Sequence, residues 1–313
     1  MLYLSTRDPR KMFPANQTLT EETAADGGLY IPLSIPKIEA IQLDAFVKSG
    51  FCHTVAEILN LFFDCKFTAW DVETCIGRTP VKIGNPGRKT LVAEAWYNPG
   101  GCYDYAVENI NEKLCGVIGA PVCSWGRVTV GIAFSFGIYA ELVRDGVLLR
   151  RETFDICVND GDMSLPAAIL YAKQMGLPIN KLIVSSLDNS ALWDLVNHGQ
   201  MGTSLLKPVQ KIGTERLISC LLGQDQIESY AAACQRHGVY IAPEEKIPDL
   251  SEVMFASVVG KDRVESIIGN VFKTNNYALT FDAAVCYGGI QDYRSKTGQG
   301  RLAVLLGLTA PKL

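Results

Sequence analysis

Carboxylates and thiols, more than histidines, are the side chains whose placement could do chemistry in this chain. Asp160, Gly161, Asp162 and Ser164 fall between an apolar run, Phe154 to Val158, and the start of an apolar helical pattern at Leu165. A strand-to-helix loop at the carboxyl end of a parallel strand is where open α/β sheets take ligands. Two acids there would suit a cation or an amine; the competing and weightier reading is a solvated turn whose acids suit the positive end of a helix. A second group follows the turn Pro99-Gly100-Gly101: Cys102, Tyr103 and Asp104, with Tyr97 just before it. Asp104 would either carry new chemistry or cap the helix that opens there, and capping is favoured. Cys102 reads as a nucleophile or as a buried inert thiol; the thiol is favoured, because His53, His198 and His237 are the only histidines and none can be placed beside it. Tyr97 and Tyr103 could line a pocket, though aromatic core packing is commoner. Ser5, Thr6 and Arg7 would bind an anion or fix the chain end against the core, and both readings stand.

The elements that must position these groups follow from pattern. The 313 residues suffice for one large domain or two modest ones with a sizeable core. The clearest stretch alternates strand Phe154–Val158, loop Asn159–Ser164, helix Leu165–Met175, strand Lys181–Ser185 and helix Ser190–His198. This βαβα order predicts a parallel sheet. Pro166 near the helix start and Gly176 just past its end are the expected punctuation. Upstream, the spacing predicts a helix over His53 to Phe63, a strand over Thr90 to Trp96, a helix over Tyr103 to Leu114, a strand over Val117 to Val122 and a long helix over Val128 to Val143. Downstream it predicts helices over Thr214–Leu222, Asp225–His237, Lys261–Thr274 and Ala283–Ser295, then a strand over Leu302–Leu306. The fold class is α/β, a mainly parallel sheet flanked by helices, with a reduced second lobe. The division is an N-terminal segment over 1–90, helical with leading loops, and an α/β core over 91–313.

Composition narrows the function classes. The chain is 48% hydrophobic and 20% charged, with a formal charge of −4 and no basic block. A nucleic-acid partner is therefore not expected. Ten cysteines occur without a C-x-x-C pair, and Cys102, Cys115 and Cys123 do not have zinc-ligand spacing, so no metal is expected. With no signal-like start, the thiols read as reduced and the location as cytoplasmic. The run Val128 to Ala140 is too short for a membrane span and reads as a buried helix.

Three blocks resemble threonine synthase. Tyr3-Leu4-Ser5-Thr6-Arg7 with Ala25-Asp26-Gly27-Gly28-Leu29-Tyr30-Ile31-Pro32 is similar to that family's opening signature. Tyr171 to Ile179, followed by a strand and Asn189, is similar to its A-x-x-M-G-L-P-I stretch. Thr214-Glu215-Arg216-Leu217-Ile218 is similar to its F-E-R-L-L, with Ala284-Val285 and Pro311-Lys312 near the end. The resemblance implies the tryptophan synthase β-like fold of pyridoxal phosphate (PLP) enzymes, two α/β halves with the cofactor between them. It implies a lysine for the Schiff base, a Gly/Asn-rich phosphate loop at a helix N-terminus, a hydroxyl at the pyridine nitrogen, and a lobe that closes over phosphohomoserine.

Aligned motif by motif, these positions have changed. The lysine motif falls on Tyr97 to Tyr105 and places Asp104 where the lysine stands. The phosphate loop falls on Gly161-Asp162-Met163-Ser164-Leu165, where only the first glycine remains and Asp160 and Asp162 would repel a dianion by several kcal/mol. The pyridine-facing threonine falls near Gly307. Only Tyr105 to Asn159 separates the lysine block from the phosphate loop, too little for the family's substrate lobe. Lys89 and Lys113 flank the lysine block, and Lys113 lies roughly 13 Å along the helix from Asp104, too far to serve the same carbonyl. The expected protein is a non-catalytic relative with no cofactor, binding a small anionic or amino-acid-like ligand or a protein partner. A shortened lobe would expose an apolar patch, so a homo-oligomer is expected. The alternatives are an active PLP-dependent threonine synthase or lyase, and a PLP-independent enzyme using Asp104, Asp160 and Asp162.

Overall fold

A computed structural model describes residues 1–188 and 190–311. Asn189 and Lys312 of the family-like blocks lie outside the described residues. The chain divides into two compact units, each discontinuous in sequence: residues 1–81, 95–152 and 167–178 form the first, and 82–94, 153–166 and 179–313 the second. They do not coincide with two consecutive spans meeting near residue 90.

In the first unit, β1 (Leu2–Ser5) pairs antiparallel with β2 (Met12–Pro14) and β3 (Tyr30–Pro32). Helices supply the rest: α1 (Gln17–Thr20), α2 (Ala40–Ser49), α3 (Phe51–Phe63), α4 (Ala69–Ile76), α5 (Tyr103–Cys115) and α6 (Ser124–Arg144). The helix α7 (Ser164–Met175) contributes its body from Ala167 onward. α6 is the axis of this unit. It is apolar on nearly every face, the pattern of a helix surrounded by protein, and Val128 to Leu142 is buried except for Glu141. At 21 residues it is longer than the sequence suggested, and by length and composition alone it could cross a membrane; 83% of its apolar window is buried within the fold. Gly137 makes close packing possible, because a Cβ there would lie 2.7 Å from the Phe51 ring of α3. Trp125, at the start of α6, receives the edges of Tyr3, Phe62 and Tyr171.

The second unit carries the main sheet, ordered β10-β7-β6-β11-β5-β4. Its strands are β4 (Lys82–Gly87), β5 (Thr90–Glu94), β6 (Phe154–Asn159), β7 (Ile179–Leu187), β10 (Met254–Val259) and β11 (Ala303–Gly307). All pairings are parallel except β4 on β5 at the edge. β5, β6 and β11 are buried almost throughout, as central parallel strands must be. Between β7 and β10 lie α8 (Ala191–His198), the pair β8 (Gln200–Gly202) and β9 (Val239–Ile241), and helices α9 (Pro208–Leu222), α10 (Ile227–Gln235) and α11 (Ile247–Val253). After β10 come α12 (Lys261–Asn275) and α13 (Phe281–Thr297). Gly289 of α13 lets the helix lie directly on β7, since a Cβ there would overlap the Ser185 hydroxyl.

The expected α/β class and mainly parallel sheet are present. The strand expected over Val117 to Val122 is absent: Gly116 and Gly119 take positive φ, and Ile118 is 93% exposed. Two glycine turns and Pro121, which lacks an amide hydrogen, leave no stretch able to join a ladder.

Candidate functional site

The Asp160 loop sits where β6 ends and α7 begins. Its polar groups are largely engaged with one another. Asn159 Oδ1 accepts from the Gly161 amide at 3.0 Å, and Asp162 Oδ1 accepts from the Ser164 amide at 2.9 Å and from the Ser164 hydroxyl. The Gln210 side-chain amide donates to the Asp160 carbonyl at 2.8 Å. Gly213 of α9 lies so close that a Cβ would approach the Met163 backbone to 2.8 Å. The loop's own side chains and α9 therefore occupy the first turn of α7.

The Asp160 carboxylate faces the end of β7 and the start of α8. It accepts from Ser186 Oγ at 2.6 Å and from Ser190 Oγ at 3.4 Å. Burial raises its pKa above the ordinary carboxylate value, and the two hydroxyl hydrogen bonds oppose that rise. Ser190 also caps α8, accepting from the Trp193 amide at 3.1 Å. Asp160 and Asp162 are therefore not a free acidic pair: one is held by hydroxyls, the other by the backbone. Gly307 ends β11 at the same edge of the sheet, opposite Glu94 of β5, which accepts from the Tyr277 hydroxyl.

In the first unit, Asp104 is the second residue of α5, and Cys102 is the cap residue. The capping expectation for Asp104 is corrected: Asp104 Oδ1 accepts from Arg127 Nη1 of α6 at 2.6 Å, with the Asp104 side chain 63% exposed. Asn98 wires the preceding turn, donating to the carbonyls of Ala95 and Cys102 and accepting from the Gly100 amide. Cys102 is half-buried. Tyr97 is not core packing: it is 40% exposed and stacks on Trp96. Tyr103 is buried against Phe134, as core packing predicts. Lys113 pairs with Asp71 at 3.3 Å, and Lys89 donates to the Gly300 carbonyl at 3.4 Å.

Ser5 and Thr6 are buried and committed to the chain. Ser5 Oγ donates to Asp26 Oδ1 at 2.8 Å; Thr6 Oγ1 accepts from the Leu29 amide at 2.8 Å while its own amide donates to the Leu29 carbonyl. The two halves of the opening signature are thus sewn to each other, with the Arg7 guanidinium lying over Gly27. Their hydrogen bonds favour fixing the chain end over anion binding.

Sequence reasoning missed Ser186, Gln210 and Arg127. Among the described residues there is no group of three or more His, Cys, Asp or Glu arranged to hold a metal ion.

The fold is that of threonine synthases. The PLP-bound threonine synthase from Brucella melitensis superposes with a TM-score of 0.82 at 15% identity, covering 99% of this chain and 89% of that one. The yeast enzyme gives 0.80 at 15% identity over 99% and 87%, and the Escherichia coli enzyme 0.71 at 15% over 99% and 89%. Sequence agrees where it can be compared: residues 2–79 match the family model for the threonine synthase N terminus. Threonine synthase-like 1 of Homo sapiens is 33% identical over 76 residues, and its Mus musculus counterpart 34% over 76 residues. Each match spans 24% of this chain and 10% of the relative. The chain thus shares the threonine synthase fold, and its sequence similarity to that family lies in the opening segment, residues 2–79.

Proposed function

We propose that this chain is a threonine synthase-like protein without PLP-dependent catalysis, which binds a metabolite or a protein partner. The observation that carries the reading is the seat of Asp162. Its carboxylate accepts the Ser164 amide at the start of α7, where the family resemblance puts the cofactor phosphate. A phosphate dianion would have to displace one internal anion and lie beside a second, Asp160, at a cost that would offset much of its own binding. Asp104 adds a separate obstacle. A carboxylate cannot form an imine, and this one is engaged by Arg127. Gly307 offers no hydroxyl to a pyridine nitrogen. The residues present do not fit PLP.

The reduced second lobe belongs to the same reading. Among the described residues, the regular elements between Asp104 and Asp160 are α5, α6 and β6, of which β6 belongs to the main sheet, and the sheet of the first unit is the small antiparallel β2-β1-β3. That leaves little to enclose phosphohomoserine and exclude water. A cytoplasmic location and a homo-oligomeric state complete the proposal. The test is threonine formation from phosphohomoserine by the purified chain with PLP added. No threonine above the protein-free control is expected; turnover would overturn the reading in favour of an active synthase.

A further inference from the structure

We propose that the groove between α12 and α13 binds a small metabolite through a carboxylate or phosphate group, at a place distinct from the Asp160 loop. A cavity of about 260 Å³ opens there. Its polar lining includes Arg88, Arg263, Asn270 and Gln291, its apolar lining includes Ile267 and Val271, and no carboxylate lines it. That size and mixture suit a ligand of few heavy atoms with a short apolar body and one anionic end.

The two guanidiniums are held differently. Arg263, in the first turn of α12, is anchored: Nη1 donates to Asp292 Oδ1 at 2.7 Å, and Nη2 donates to the Gly288 carbonyl and Gln291 Oε1, each at 3.3 Å. Asp292 is held from its other side by Ser257 Oγ at 2.6 Å. The charge of Arg263 is therefore matched within the fold. Arg88 is different, because among the described residues its guanidinium has neither an ion pair nor a hydrogen bond, so the groove carries one uncompensated positive charge.

The backbone that presents Arg88 is unusual. Arg88 and Lys89 form the two-residue turn between β4 and β5, with φ of +56° and +53°. Turns with positive φ at both central positions normally take Asn-Gly, since side chains of this size are strained there. Arg294 fixes the turn from below, donating Nη1 to the Arg88 carbonyl at 2.6 Å and Nη2 to the Lys89 carbonyl at 2.8 Å. A fork that holds a strained turn leaves the Arg88 side chain at the mouth of a polar cavity, with no internal anion to meet it. A monoanionic group on an apolar stem is the complement: its charge meets Arg88, its remaining acceptors meet Asn270 and Arg263, and its stem lies on Ile267 and Val271.

The experiment uses the full chain with two probes that each carry one anionic group on a short apolar stem, ethyl phosphate followed by its phosphorus resonance and butyrate followed by its proton line width. Saturable broadening by at least one probe is expected, and the stronger one names the anionic group. Arg88→Asn keeps a residue that tolerates the left-handed turn, so its thermal midpoint should match the wild type while its affinity falls about tenfold, the scale of one charged hydrogen bond. Arg88→Lys should retain part of the binding. Saturation by neither probe, or unchanged affinity in a folded Arg88→Asn protein, would overturn the proposal.

Discussion

Asp162 Oδ1 lies 2.9 Å from the backbone nitrogen of Ser164 and accepts its hydrogen. A helix N-terminus attracts an anion through its unpaired amides and its dipole. Here the chain supplies that anion itself, at the first turn of α7.

If that contact is chiefly a cap, Asp162→Ala should lower the unfolding free energy by about 1 kcal/mol. Urea unfolding measures this. Asp162→Asn, which keeps an accepting oxygen, should lose less.

Asp160 gives a dependence on pH. Its folded pKa is raised by burial, with the Ser186 and Ser190 hydrogen bonds opposing. Between the unfolded value, about 3.9, and the raised folded value, the folded state holds more proton than the unfolded chain. Stability therefore falls as pH rises through that window. Asp160→Asn should remove part of the fall, so the difference in unfolding free energy between variant and wild type should grow from pH 4 to pH 7. Asp155, also buried with its pKa raised, contributes with the same sign and is unchanged in the variant.

Gly137→Ala should destabilise the first unit. Its new methyl would meet the Phe51 ring at 2.7 Å, in a helix pair with no slack, and overpacking of this kind costs about 1–3 kcal/mol. A thermal midpoint at or above the wild-type value would show that α3 can move aside at little cost.

On the proposed reading, Asp104→Lys separates the effect of the carboxylate at the lysine position from that of the acids at the start of α7. It restores an amine but leaves Asp160, Asp162 and Gly307 in place, so threonine formation should stay absent. It also sets a second cation beside Arg127. The Asp104 side chain is well exposed, though Arg127 is only partly so, and stability should fall by about 1 kcal/mol.

The stretch from β6 to α8 was legible in the sequence because its signals agree. β6, α7, β7 and α8 alternate with clear punctuation, and Gly176 takes the positive φ that a helix end wants. β10 was not read: Met254 to Val259 shows no clean alternation, and its partner β7 lies more than 60 residues away. Val117 to Val122 was misread because four apolar residues outweighed Gly119, Pro121 and the preceding Gly116. For the site, the loop acids could be named, but their partners could not. Ser186 reaches Asp160 from the end of a neighbouring strand, and Arg127 reaches Asp104 from a different helix. Such contacts depend on packing between elements, and no local pattern encodes them.

The most direct test of the central claim is the visible absorption spectrum of the purified chain mixed with PLP, before and after borohydride. The account predicts no internal-aldimine band and, after borohydride, no stoichiometric adduct concentrated on one lysine, only the scattered labelling that free PLP gives exposed amines. A band that borohydride traps on one lysine would contradict it and identify the residue that performs the family's chemistry.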